Sequence, residues 1–376
     1  MSTRREFIKQ ASLIAGISLT ASMGLASLSS HAAQKTAGGN WRMPDEGEPQ
    51  QCAFIAFGAQ RAIWGSFTAD VQDALGRIAR AIAVYQPLTV FCRERERELA
   101  ERKCGSHNVT FVITELDDIW MRDIAANFVT NNAGELAAVD FNFNGWGNKQ
   151  RHGKDAQLAA FQARHFGVNP LRRSALTGEG GGIEVDGHGT GIMTESSWVN
   201  RNRNPGWSRE RVEQELKAML GLRKIIWLPG IKGKDITDAH VDFYARFVSP
   251  GVVFANLDSD PESYDHQVTL DHLAILKQAT DADGRKIQVH TVSPPLDPRH
   301  SRFSKGNADF AAGYINYFVI NGAIIAPEFG DAEADAAALA LLTALYPQRE
   351  VVQLNIDAIA AGGGGIHCVT SQLPTV

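Results

Sequence analysis

What this 376-residue sequence lacks narrows the field first. It carries only four cysteines, Cys52, Cys92, Cys104 and Cys368, and their spacing contains no CxxC pair or other zinc-ligand pattern. There is no HExxH helix, no GxSxG elbow and no Walker loop, which removes the zinc peptidases, the α/β-hydrolases and the P-loop enzymes. Basic charge is not in excess: 37 Lys and Arg stand against 42 Asp and Glu, a net −5, so nucleic acid finds no electrostatic footprint. Beyond the amino-terminal stretch no apolar run reaches the roughly 20 residues of a membrane span. No low-complexity linker or charge block divides the rest, which is therefore expected to be one domain, 34–376. What remains, 44% hydrophobic and 21% charged residues, suits a globular chain with a real core.

Residues 1–33 read as a targeting segment rather than as part of the fold. Arg4 and Arg5 precede Phe7 and Lys9, a weakly apolar Ala/Ser/Gly-rich stretch follows at 11–28, and Ser30-His31-Ala32 supplies small residues at a cleavage site. This pattern resembles a twin-arginine translocation signal, so the mature chain is expected in the periplasm, with no stable membrane association after cleavage.

Along the mature chain, strand-like apolar runs alternate with amphipathic helical ones. CAFIAF (52–57), a helix over 69–85 and LTVFC (88–92) begin the series. Helices over 93–103, 155–166, 208–220, 265–279 and 331–346 alternate with further strand runs up to VVQLNI (351–356). Strands, a helix and another strand recur about five times, which suggests radial repetition, although periodicity alone does not separate a five-module ring from an open doubly wound sheet. GHGTG (187–191) lies between two strand-like runs and reads as a hairpin turn. Cys52 reads as a core residue; Cys92 and Cys104 sit at the ends of one helical run, too far apart to pair.

Four polar clusters carry possible chemistry. GGGGIHC (362–368) sets a thiol behind four glycines: a buried structural cysteine after a linker, or a nucleophile where substrate must approach backbone closely. His367, next to it, would point the other way on a strand and reads as structural, so a base for Cys368 has to come from elsewhere. In DITDAHVDF (235–243), Asp238, His240 and Asp242 alternate, and on a strand they would share one face: either a solvated side or a deliberately polar one. In WMRD (120–123), Trp120 and Asp123 offer a ring face and a carboxylate that suit a flat cation, or else a surface ion pair. Glu179 stands among Gly178, Gly180, Gly181 and Gly182. Together these are a thiol, a histidine and several carboxylates. A guanidinium is the planar cation that carboxylates match in bidentate fashion, and thiolate attack on its central carbon would expel ammonia and leave a thiouronium for water to hydrolyse.

WMRD (120–123), EGGG (179–182), DAHVD (238–242), NYFVINGAIIAPEFGD (316–331) and GGGGIHC (362–368), with NRNRNP (200–205), resemble agmatine deiminase and its bacterial peptidylarginine deiminase relatives. The resemblance runs in order from residue 41 to the C-terminus and implies the pentein fold of the guanidine-modifying superfamily. That is an α/β, five-bladed propeller with pseudo-fivefold ββαβ modules around a central site. It implies Cys368 as nucleophile and His240 as general acid/base. Asp123 and Asp242 would grip the guanidinium, Glu179 would bond the histidine and help hold substrate, and Trp120 would stack near it. No metal or organic cofactor is implied. The partner is a small cationic guanidine, the implied reaction is agmatine plus water to N-carbamoylputrescine and ammonia, and a homodimer is the family expectation. MPDEGEPQ (43–50), AFIAFG (53–58) and WMRDIAA (120–126) depart from the family's MPAEWEPH, TWMAWP and WMRDTGP, which implies a reshaped pocket for the substrate's tail. An exported peptidylarginine deiminase, an enzyme for another small guanidine, an amidinotransferase and a non-catalytic periplasmic binding protein for guanidines or polyamines remain as alternatives.

Overall fold

In the computed structural model the alternating apolar runs form five small sheets. The structure describes residues 40–376, so the targeting segment lies outside the described residues. The first sheet holds β1 (Gln50–Ala56), β2 (Leu88–Cys92) and β3 (Val109–Ile113). The second holds β4 (Asn127–Thr130), β5 (Leu136–Asp140) and β6 (Leu171–Arg173). The third holds β7 (Glu184–Val185), β8 (Thr190–Thr194) and β9 (Lys224–Leu228). The fourth holds β10 (Ala245–Ser249), β11 (Val252–Asn256) and β12 (Gln288–Val292). The fifth holds β13 (Phe318–Ile320), β14 (Ala323–Glu328) and β15 (Glu350–Asn355).

Blades two to five repeat one rule: an antiparallel hairpin, a helical crossover, then a parallel return strand. The crossover helices include Leu158–His165, Arg209–Leu220, His266–Gln278 and Ala332–Leu345. The first blade obeys it only because β16 (Thr370–Pro374) returns to pair antiparallel with β1, while Thr68–Ala83 bridges to the parallel β2. The last strand of the chain therefore closes the ring on the first, and this settles the ring against the doubly wound sheet. Among the described residues no helix is long and apolar enough to cross a membrane, and no cluster of His, Cys, Asp and Glu is arranged to hold a metal ion.

Local readings hold where local chemistry decides. Ser208 caps its helix by accepting from the Arg211 N–H, and Gly187 and Gly189, both at positive φ, turn the chain between β7 and β8. The run 93–103 is a 3₁₀ turn followed by a shorter helix, Arg97–Cys104. Cys52, Cys92 and Cys104 are free and buried. One expectation is overturned. His240 is not on a strand: positive φ at Asp238 (62°) and Ala239 (67°) makes a tight turn that runs into a 3₁₀ turn, Val241–Phe243, so Asp238 faces away from His240 and Asp242. Among the departures at 53–58, Phe54 and Phe57 are fully buried in the first blade, and Phe54 packs on Phe91, Phe128 and Phe166.

Candidate active site

Cys368 lies in a turn immediately before β16, not on the strand. Three of the four preceding glycines are there for close approach. An added Cβ would lie 2.2 Å from the Trp64 ring at Gly362, 2.1 Å from the Trp120 ring at Gly364 and 2.5 Å from Asn316 Oδ1 at Gly365. Two indoles and an amide thus seat the loop that carries the thiol. Asp118 accepts from the Nε1–H of Trp64 (2.7 Å) and of Trp120 (3.0 Å), which fixes both rings from behind.

His240 is presented by the strained turn before it. Asp235 holds that turn by accepting from the Thr237 and Ala239 N–H groups, which balances a backbone conformation that L side chains rarely adopt. The Nε2 of His240 meets Glu179 Oε2 at 3.1 Å, and its Nδ1 faces Asp123 Oδ1 at 3.7 Å. Glu179 is gripped in turn by the Arg203 Nε–H, and Arg203 also donates to Asp238 at 2.7 Å. Gly181 sits in the middle. A side chain there would begin 2.6 Å from His240 Nδ1, 2.8 Å from Asp123 Oδ1 and 3.1 Å from Asp242 Oδ2, and would fill the space those polar atoms share. Asp123 takes N–H bonds from Gly181 (2.9 Å) and the Trp146 indole (2.8 Å). Trp146 is itself held at φ 56° between two positive-φ glycines, strain that points to a specific placement.

Asp242 completes the set. Its Oδ2 accepts from His367 Nδ1–H at 2.8 Å and lies 3.7 Å from Cys368 Sγ, while its buried Oδ1 has no partner among the described residues. An ionised oxygen left bare in the interior is costly unless a donor arrives. Cys368, Asp123, Asp242, Glu179, His240 and Trp120 therefore converge on one pocket, with no more than 7% of any of them exposed.

The electrostatics of the pocket follow from burial and neighbours. Burial alone would lower the pKa of His240, but the charges of Asp123 and Asp242 and the bond to Glu179 raise it to about 9. Burial, with Asp242 and Asp123 nearby, pushes the Cys368 thiol well up, so it rests neutral. Burial also opposes ionisation of Asp242, yet the bond and charge of His367, with His240 and Arg246, hold it below the ordinary carboxylate range. Asp123 is raised by burial and by Glu179 and Asp242, against the pull of His240. The resting site pairs a protonated histidine with a neutral thiol beside Asp123, whose ionisation an incoming cation would favour.

Several of these groups carry little local signal in the sequence. Trp146, Asn316, Arg203 and Glu46 act only through partners far away in the chain. Arg203 and Asn316 fall inside the motifs NRNRNP and NYFV, which is where a signal for them was present. His367 is no base for the thiol: it bonds Asp242 and Glu46 instead.

The same fold recurs in known proteins. A Streptomyces coelicolor homologue is 39% identical over 342 residues, covering 89% of this chain and 99% of its own. The agmatine deiminase of Stutzerimonas stutzeri is 35% identical over 88% of this chain and 95% of its own. The solved structure of the Enterococcus faecalis agmatine deiminase superposes with a TM-score of 0.85 at 30% identity, over 89% of this chain and 96% of that one. The model of the Porphyromonas-type peptidyl-arginine deiminases matches residues 42–374, so this chain belongs to that family of guanidine-modifying hydrolases.

Proposed function

We propose that this protein is an agmatine deiminase, converting agmatine and water to N-carbamoylputrescine and ammonia. The observation that carries this is the convergence of Cys368 and His240 with Asp123 and Asp242, whose bare Oδ1 awaits a donor, around Gly181, where a side chain would collide with His240, Asp123 and Asp242. Asp123 and Asp242 bind the cation, and Trp120 walls the pocket. The arriving positive charge lets Cys368 lose its proton to solvent. Its thiolate bonds to the guanidinium carbon, His240 gives its proton to one terminal nitrogen, and that C–N bond breaks to release ammonia. A thiouronium remains on Cys368. Neutral His240 then takes a proton from water as the oxygen attacks the same carbon. The C–S bond breaks, and the proton left on that oxygen restores the thiol.

The near-complete burial of the site favours a small free guanidine over an arginine inside a protein chain. The test is ammonia release from agmatine, free arginine and an internal-arginine peptide, with Cys368→Ala as blank. Agmatine turns over fastest, and the rate declines as pH rises through about 9, because His240 must carry its proton to expel ammonia. Turnover of the peptide in preference to agmatine would move the reading to protein citrullination. We also assign the enzyme to the periplasm, on the strength of Arg4, Arg5 and the small-residue cleavage site. Cell fractionation of the wild type and of an Arg4→Lys, Arg5→Lys variant decides this: export of the wild type alone supports it, and a cytosolic wild type refutes it.

A further inference from the structure

Next to the reacting groups lies a buried charge cluster whose members come from widely separated parts of the chain. Glu46, just before β1, accepts from Arg122 (2.7 Å), Arg246 (2.7 Å), His367 (2.9 Å) and the Val319 N–H (2.8 Å). Arg246 of β10 also donates to Glu184 of β7 (2.8 Å) and to the Tyr317 carbonyl (2.7 Å). His367 is the point at which this cluster meets the reacting groups. Its Nε2 faces Glu46 Oε2 at 2.9 Å and its Nδ1 faces Asp242 Oδ2 at 2.8 Å.

Burial works against the charge on Glu46 as it does on Asp242, but Arg246, His367 and Arg122 hold the Glu46 carboxyl well below its ordinary range. Two ionised carboxylates can only accept. A ring bonded to one through each nitrogen must donate from both, and only the doubly protonated imidazole can do so. We propose that His367 is clamped between Glu46 and Asp242 with a proton on each ring nitrogen in the resting enzyme, and that it is a positioning residue which turns the free Oδ1 of Asp242 toward the guanidinium. The alignment of Asp242 is then set from the axis of the propeller. The Glu46 carboxylate fixes the His367 ring, the ring occupies Oδ2, and only Oδ1 is left for substrate. His367 touches neither substrate nor sulfur in this scheme and acts through Asp242. The clamp also keeps a fixed cation on the far side of Asp242, so the acid stays ionised although fully buried.

This inference rests on the deiminase reading, and its test separates the two. In resting enzyme labelled with ¹⁵N-histidine, the signals assigned to His367 by their loss in His367→Asn show both ring nitrogens protonated at pH 8. A neutral ring with one bare nitrogen overturns the proposal whether or not agmatine turns over. In kinetics, His367→Ala raises KM for agmatine by at least about tenfold, and kcat falls by a smaller factor, because Asp242 holds the cation before and during reaction. His367→Asn, whose amide can still donate to Asp242 but adds no charge, lies between Ala and wild type. Equal KM values in wild type and a folded His367→Ala overturn the positioning role. Should the alanine variant fail to fold, the asparagine variant and the nitrogen spectrum decide alone, and a KM unchanged in His367→Asn together with a neutral ring refutes it.

Discussion

Cys368→Ala releases no measurable ammonia from agmatine, a loss on the order of 10⁴-fold or more, yet binds agmatine about as tightly as the unaltered chain. The two halves of this expectation come from different atoms. Bond making belongs to sulfur, and Cys368 Sγ stands 3.7 Å from Asp242 Oδ2. Holding the cation belongs to Asp123 and Asp242, whose partners (the Gly181 N–H, the Trp146 indole and His367) are untouched by the substitution. Because burial and the neighbouring acids keep the resting thiol neutral, removing it strands no counter-charge, and the pocket should survive with a small void. Calorimetry with agmatine reads the binding, and acid-quenched mass spectrometry reads the chemistry. During turnover the wild-type peptide containing Cys368 gains the mass of a substrate amidino adduct, and the variant peptide gains none. A variant that still turns over, or a wild-type intermediate bound at any other residue, would remove Cys368 from the role of nucleophile.

The ring and the pocket were legible in the sequence to different depths, for physical reasons. Each crossover helix advertised itself through apolar spacing and caps such as Ser208, because those signals are local. Closure by β16 on β1 was invisible to periodicity, since the partners are more than 300 residues apart and pairing leaves no mark on either strand. At the site, Cys368, His240, Asp123, Asp242, Glu179 and Trp120 stood out because acids, a thiol and glycines are unusual company in apolar runs. The strand reading of DAHVD failed at Asp238 and Ala239. Alternation in sequence implies a shared face only in extended backbone, and two consecutive left-handed residues break that geometry while leaving the spelling unchanged. The glycines before Cys368 were legible as a demand for close approach, but the indoles of Trp64 and Trp120 that make the demand lie in other parts of the chain. Glu46, Arg122, Glu184 and Arg246 were illegible as a unit. A buried charge is recognised by its partner, and these partners lie far apart in the chain.

That axial cluster sets the second large expectation: Arg246→Met destabilises the folded chain by about 3–5 kcal/mol, the usual cost of breaking a buried ionic network on one side. Arg246 is 1% exposed, donates to Glu46, Glu184 and the Tyr317 carbonyl, and lies over the Tyr317 ring at 4.9 Å. Without it Glu46 retains Arg122 and His367, but Glu184 is left buried with only the Phe247 N–H for company. Burial and Glu46 already raise Glu184 while Arg246 pulls it down, so losing Arg246 raises it further. The sign follows from linkage. A carboxyl whose folded pKa exceeds its unfolded one weakens the fold at pH values above both, and the penalty disappears as pH falls and the group protonates. The deficit of Arg246→Met against wild type is therefore largest at neutral and alkaline pH and narrows under mild acid. Urea titrations at pH 8 and pH 5 measure it, and adding Glu184→Gln to Arg246→Met should recover part of the loss at pH 8 and less at pH 5. Arg246→Lys should fall between, because one ammonium cannot serve three acceptors held apart by a guanidinium's fork. Equal stability of Arg246→Met and wild type at pH 8 would mean that the five blades are held at their axis by apolar packing alone.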